Sequence, residues 1–425
     1  MFDYLEFFHS LNRFGSRPGL YNIGKLCECL GSPERSLRFI HVAGTNGKGS
    51  VCTFLSEILQ AAGCKTGLYI SPYVTDFRER VQINGQMVDE ATLATAAETV
   101  KNAVLELNQE DIIITEFEAV TAAAFLCFAS QRCDAVVLET GLGGRFDATN
   151  IIPPPLVSVI TSISLDHTQI LGSTVAEIAF EKCGIIKQGS SVVTNNAQPN
   201  EALAVIQKTA AERGARLSIA TVKNKNILNT SIFGTEILYN GEPLSIPLAG
   251  EHQIENALTA IEAVHVLQEQ GFHIADAYIR AGVAQTQMPA RIQILSREPL
   301  IILDGSHNDG STKALSEVLK THLPQKKLLG LMGMMADKDY AQALQNLAPL
   351  FASLITATPG NPRSLSAEAL AAAARQVCPD ARAIPSPAEA FAQAKEQLGG
   401  YDALIICGSL YLAADILGAD SNIYS

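Results

Sequence analysis

The residues in this sequence best suited to chemistry are seven in a row, Gly44-Thr45-Asn46-Gly47-Lys48-Gly49-Ser50. They follow an apolar run of strand length, Arg38–Ala43, and precede a helical pattern from about Val51 to Ala62. A strand, a tight turn and a helix are the context a phosphate loop requires. Glycines let successive backbone N–H groups turn towards an anion, and the following helix adds partial positive charge at its N-terminus. Lys48 would reach the β- and γ-phosphates, and Ser50 would contact phosphate or metal. The run departs from the commonest nucleotide-loop pattern twice: Val42 stands where its first glycine belongs, and Gly49 separates Lys48 from Ser50. An ordinary glycine-rich connection is the plainer alternative.

Other candidates sit at the ends of other apolar runs. Glu139 closes Asp134–Leu138 and opens Thr140-Gly141-Leu142-Gly143-Gly144-Arg145-Phe146-Asp147-Ala148-Thr149-Asn150. A carboxylate at a strand end suits Mg²⁺, and the glycines allow close backbone approach to a ligand. Asp166-His167 is expected to end a strand that begins near Leu156. Glu181-Lys182-Cys183-Gly184-Ile185-Ile186-Lys187 closes the helix after His167, where lysines usually just complement the dipole. Asp304-Gly305-Ser306-His307-Asn308 and Gly408-Ser409 each follow a further apolar run, as cleft residues or as plain turns.

Strand-length apolar runs alternate with helical patterns throughout, the signature of βαβ units and a parallel sheet. Residues 90–108 and 117–130 read as helices, and Thr66–Ile70 as a strand ending at Ser71-Pro72. Residues 228–248 read as short antiparallel strands turning at Asn240-Gly241. Gln287–Arg291 reads as a linker, after which a second βα series begins. The expected fold is therefore α/β: a P-loop-type, mostly parallel sheet domain over residues 1–288, then a smaller Rossmann-like domain over residues 289–425.

Composition excludes several classes. The formal net charge of -12 over 425 residues leaves no broad basic face for nucleic acid. Nine cysteines, an odd number without a C-x-x-C pair, argue against a disulfide framework and against zinc. The longest apolar run, near Ala119–Ala129, is too short to span a bilayer. The N-terminus lacks a signal-peptide pattern. The expectation is a cytoplasmic monomer without nucleic-acid or membrane partners, acting on small molecules.

Taken together, the ordered motifs resemble the folylpolyglutamate synthase/dihydrofolate synthase family of the Mur ligase superfamily. The resemblance spans Leu5–Phe14 and Gly19–Gly31, then HVAGTNGKGS, YISPY, TEFE, ETGLGGRFDATN, SLDH, EKCGIIK, GEHQIENA, MPARIQ and LDGSHN. Both departures of the phosphate loop are normal in that superfamily.

The resemblance implies a reaction in which ATP phosphorylates a carboxylate and the amine of glutamate attacks the acyl phosphate. It implies that Gly44 to Ser50, with Lys48, bind the phosphates, and that Asn256, Arg291, Asp304 and His307 lie at the nucleotide. It implies two magnesium ions, with Ser71, Glu139 and His167 as ligands, and a carbamylated Lys182 near the second. Lys48, His167 and Lys182 would then serve catalysis. Thr115, Glu116, Phe117 and Glu118, with Phe146, Asp147 and Ala148, match regions that contact the pterin. Because water would hydrolyse an acyl phosphate, closure of two domains over the reactants is expected. A Mur ligase acting on a UDP-sugar carries an extra N-terminal domain, and only 43 residues precede the loop here. A P-loop regulatory ATPase, a nucleotide-binding module and an enzyme that only lengthens glutamate tails are the remaining alternatives.

Overall fold

A computed structural model describes residues 2–11, 19–221 and 226–419. The first resembling stretch, Leu5–Phe14, therefore lies partly outside the described residues. The chain forms two compact units. The first comprises residues 1–225 and 254–286, and the second residues 226–253 and 287–425.

The first unit is built on an eight-stranded sheet. Its strands are β1 (Phe39–Ala43), β2 (Thr66–Tyr69), β3 (Val81–Ile83), β4 (Gln86–Met87), β5 (Ala135–Glu139), β6 (Val157–Ile160), β7 (Ser191–Asn195) and β8 (Arg216–Ala220). Their order is β4-β3-β2-β5-β1-β6-β7-β8. All pairings are parallel except β2 with β3 and β3 with β4. β1 and β5 are buried along their whole length, which is why they read as unbroken apolar runs. The helix Glu116–Ser130 packs into one face of this core with Phe125, Phe128 and a run of buried alanines. The helix Asp276–Gln285 packs against the helix Lys48–Ala61.

Two expectations shift here. The strand expected to reach Asp166-His167 stops at Ile160. Beyond it Thr161 N still donates to Ala43 O at the end of β1, and Ser162 O then accepts from Thr45 N and Asn46 N of the glycine-rich loop instead of continuing a strand ladder. The helix expected from Val51 begins at Lys48.

The second unit holds a three-stranded antiparallel sheet, β9 (Ile227–Ser231), β10 (Gly234–Tyr239) and β11 (Glu242–Ile246). It also holds a six-stranded sheet of β12 (Gln293–Arg297), β13 (Leu300–Leu303), β14 (Leu328–Met332), β15 (Phe351–Thr356), β16 (Ala381–Ala383) and β17 (Ala403–Cys407). The order is β12-β13-β17-β14-β15-β16, parallel except for the β12–β13 edge. The sequence pattern keeps residues 226–253 with the first domain. In the fold they group with the second unit, because Ile232 and Ala249 share an apolar cluster with Ile302, Leu315 and Val318.

All nine cysteines are free thiols. Among the described residues no helix is long and apolar enough to cross a membrane.

Candidate active site

Strand register places the first two motifs side by side. β1 and β5 are parallel neighbours with Val42 opposite Glu139, so the glycine-rich loop and this carboxylate leave the same sheet edge. That edge, at a point where connections run to opposite sides, is where open α/β sheets bind ligands. The segment after β6 fixes the loop from the other flank. Thr45 N and Asn46 N donate to Ser162 O at 2.8 and 3.2 Å. Thr161 Oγ1 donates to Asn46 O at 2.8 Å, and Ser164 N to Thr45 Oγ1 at 3.1 Å. Gly47, at φ 83°, then turns the chain into the helix Lys48–Ala61 with no side-chain cap over its first turn. The positive φ favours glycine at this position, and a Cβ at Gly47 would lie 2.3 Å from Asn256 Oδ1, so Asn256 walls one side of the turn. Uncapped first-turn amides at the positive end of a helix form a site for an anion.

Two lysines serve this loop. Lys48 Nζ donates to Thr45 O at 3.3 Å and lies 4.0 Å from Glu139 Oε1, long contacts that a phosphate can replace. Lys182 is buried and donates to Gly44 O at 2.7 Å. Burial first, and the charge on Lys48 second, push the Lys182 ammonium down to about 7, while Asp166 and Asp147 pull the other way. The sequence undervalues Lys182, because the end of a helix ordinarily exposes a lysine. Tight backbone packing brings it inward: a Cβ on Gly144 would meet Lys182 O at 2.7 Å, and Arg145 N donates to Glu181 O at 2.8 Å.

Glu139 is buried and accepts from Ser71 N at 3.0 Å, so two of the expected metal ligands are neighbours. His167 stands apart from a strand end. It is exposed, in the left-handed region at φ 49°, at the start of the short helix Thr168–Leu171, with Nε2 3.9 Å from Asp166 Oδ1. Among the described residues no group of three or more His, Cys, Asp or Glu is arranged to hold a metal. Mg²⁺ does not require one. It retains waters and takes one or two protein oxygens together with nucleotide phosphates. Glu139 with Ser71 fits that mode.

The seven residues expected at a pterin divide into two sets. Thr115 and Glu118 form a capping box for the helix Glu116–Ser130: Glu118 Oε2 accepts from Thr115 N at 2.8 Å. Asp147 faces its own loop, accepting from Leu142 N at 2.8 Å, Thr149 N at 3.1 Å and Thr149 Oγ1 at 2.5 Å. Burial raises the Asp147 pKa against these donors. Ala148 is buried beside it. The accessible members are Glu116 and Phe117, both half-buried, and Phe146, which is 54% exposed. Phe117 lies against Gly141, with its ring 6.2 Å from that of Tyr69.

In the second unit, one turn gathers Arg291, Asp304 and His307. Asp304 accepts from Ile292 N and Ser306 N, each at 2.9 Å. Arg291 Nη1 donates to Ala290 O at 3.3 Å, and Gly305 N to the same carbonyl at 2.8 Å. His307 Nδ1 is 2.8 Å from Gly305 O, and His307 N donates to Ser311 Oγ at 3.0 Å.

Sequence reasoning assigns no role to Thr161 or His41. Nothing marks Thr161 in the sequence, but a histidine within an apolar strand is a visible oddity.

The Mur ligase middle domain matches residues 112–264, and the Mur ligase glutamate ligase domain matches residues 290–410. A Bacillus subtilis dihydrofolate synthase/folylpolyglutamate synthase is 36% identical, over 97% of each chain. A Lacticaseibacillus casei folylpolyglutamate synthase is 34% identical, over 97% of this chain and 96% of the relative. A Mycobacterium tuberculosis folylpolyglutamate synthase solved with ADP and AMPPCP superposes with a TM-score of 0.87 at 31% identity, covering 97% of this chain and 96% of that one. Escherichia coli FolC, solved with DHPP and ADP, also gives 0.87, at 30% identity over 99% and 98%. By these matches across nearly its whole length, the chain belongs to the folylpolyglutamate synthase/dihydrofolate synthase family of Mur ligases.

Proposed function

We propose that this chain is an ATP-dependent carbon–nitrogen ligase that joins L-glutamate to a folate-type carboxylate. It lengthens the tail of a tetrahydrofolate and also makes dihydrofolate from dihydropteroate. The names of its relatives and the DHPP and ADP bound by the Escherichia coli neighbour support both halves of this reading. The observation that carries it is the convergence of Lys48, the buried Lys182 and Glu139 on one open helix N-terminus.

A carboxylate is a poor electrophile towards an amine. Its oxygen attacks the γ-phosphorus, ADP leaves, and the acyl carbon gains a phosphate leaving group. The amine of glutamate then attacks that carbon and phosphate departs. Phosphoryl transfer needs positioning and charge neutralisation more than covalent help from the protein. The Gly47–Ser50 amides and Lys48 hold the β- and γ-phosphates. Magnesium held with Glu139 and Ser71, and with His167 for a second ion, would supply further positive charge. The family resemblance assigns Arg291, Asp304 and His307 to nucleotide binding. Phe117 and Phe146 give the pterin its apolar faces. With its pKa lowered to about 7, Lys182 supplies a neutral amine that can add to CO₂ and release a proton, and the resulting carbamate anion would offer oxygen ligands to a metal. Nine free thiols suit a reducing, cytoplasmic setting.

The test is phosphate release from ATP and Mg²⁺, with glutamate and either dihydropteroate or a reduced folate supplied separately. Sustained ADP formation should need both glutamate and a pterin, because without the amine the reaction stalls at the acyl phosphate. Sustained ADP formation that needs neither glutamate nor a pterin would make the chain a regulatory ATPase instead. Turnover with the reduced folate alone would leave tail lengthening as its only activity.

A further inference from the structure

A buried chain of side chains ties the phosphate-loop strand to the glycine-rich loop after β5. His41 lies within β1, three residues before Gly44, and is fully buried. Its Nε2 is 2.9 Å from Thr149 Oγ1. The same hydroxyl is 2.5 Å from Asp147 Oδ1, and Asp147 Oδ2 accepts from Leu142 N at 2.8 Å. Thr149 has no exposed surface, and Asp147 has 6%.

Hydrogen counting sets the direction of this chain. Asp147 accepts from the Leu142 and Thr149 amides, as the ionised carboxylate does, and a carboxylate can only accept, so the single Thr149 proton points to Asp147. The Thr149 oxygen then has only lone pairs to offer, so His41 must donate from Nε2. Its Nδ1 carries no proton and, among the described residues, has no partner. Burial holds the imidazole neutral, with its pKa lowered to about 3. A protonated His41 would leave an N–H at Nδ1 buried and unsatisfied.

The chain ends on the residues that shape the loop. Asp147 draws in the Leu142 amide, so residues 141–147 curl around it. On one side that curl sets Gly141 against the Phe117 ring. On the other it sets Gly144 against the carbonyls of Glu181 and Lys182. β1 itself leads into the Gly44–Gly47 turn, so one strand is tied both to that turn and to the 141–147 loop.

We propose that His41 is a positioning residue for the acceptor carboxylate, acting through Thr149 and Asp147 as a fixed-direction donor chain that holds the 141–147 loop. This rests on the ligase reading above, but part of its test does not.

The independent part is ¹⁵N NMR of the histidine side chains in the ligand-free protein. His41 should show the neutral Nε2–H tautomer, unchanged from pH 5 to pH 8. An Nδ1–H tautomer, or an imidazole that titrates in that range, overturns the proposal whatever the enzyme does.

The kinetic part uses His41→Phe and Thr149→Val, which keep shape and remove the donors, with melting and ADP affinity measured alongside. Each should raise KM for the pterin substrate about tenfold, the size expected for one lost buried hydrogen bond, with KM for ATP within twofold of wild type. The double variant should be no worse than either single one, because both break one chain. Thr149→Ser should recover most of what Thr149→Val loses. Additive losses, equal rises in both KM values, or no rise at all in folded variants would each overturn the proposal. Failure of the wild-type enzyme to use any pterin would count against the ligase reading alone, leaving the tautomer result standing.

Discussion

Two βα turns in this molecule look alike in sequence and are built to opposite ends. After β1, the turn Gly44–Gly47 spends the side chains of Thr45 and Asn46 on Ser164 behind it and leaves the next helix without a side-chain cap. After β13, the turn Asp304–Asn308 spends Asp304 and Asn308 on nearby backbone amides, including those of the helix that follows. Asp304 accepts two nearby amides, and Asn308 caps the helix Asp309–His322 by accepting from Ser311 N at 2.9 Å. The first helix end is open to an anion. The second is already satisfied, so its helix dipole has less to offer a phosphate. A glycine-rich turn becomes a receptor only when no residue of its own occupies the amides.

The sharpest way to break this contrast is at the lysine beneath the first turn. Lys182→Ala should lose about a thousandfold in kcat, the upper end for removing one preorganised charged group. Short carboxylic acids should restore part of it by standing in for a carbamate. Full activity in a CO₂-free preparation that mass spectrometry shows to be unmodified would remove the carbamate from the account.

Lys48→Ala comes next, with about a hundredfold loss in kcat and an unchanged circular dichroism spectrum. Near wild-type turnover by the folded variant would mean that the open helix end alone binds the phosphates.

The burial of Lys182 also predicts a pH effect on stability. Its pKa falls from 10.5 to about 7 on folding, so between those values the unfolded chain binds the extra proton and stability rises with pH. The penalty is largest below pH 7. In CO₂-free buffer, Lys182→Met should therefore be more stable than wild type by about 1–3 kcal/mol at pH 6, the gain vanishing above roughly pH 10. A gain that grows with pH would reverse the sign and place the charge elsewhere.

The smallest effect belongs to the closed turn. Asn308→Ala should cost about 1 kcal/mol of stability, as loss of a helix cap does, and leave ADP affinity within a factor of about two. Lost ADP binding at an unchanged melting temperature would show that the helix end after the second turn binds phosphate as well.

Much of the first turn is legible in the amino-acid sequence alone. Alternating apolar runs require βα units, and a glycine-rich stretch with one lysine between strand and helix has few other uses. The α/β class, the glycine-rich turn between strand and helix and Glu139 at a strand end follow from patterns within a few residues of each other. The family resemblance singles out Lys182, but its residue type and position alone suggest an ordinary exposed lysine.

Tertiary structure decided whatever depends on segments distant in sequence. The pairing of Val42 with Glu139 put loop and carboxylate on one edge. The packing of Gly144 on the Lys182 backbone buried that amine and moved its pKa. Residues 226–253 joined the second unit through apolar contacts that no local period encodes. His41, Thr149 and Asp147 became one chain only because β1 and the loop after β5 are neighbours. Sequence periodicity fixes which face of an element is apolar. Burial, register and the direction of a hydrogen bond are set by what that face meets, and this is a property of the folded chain alone.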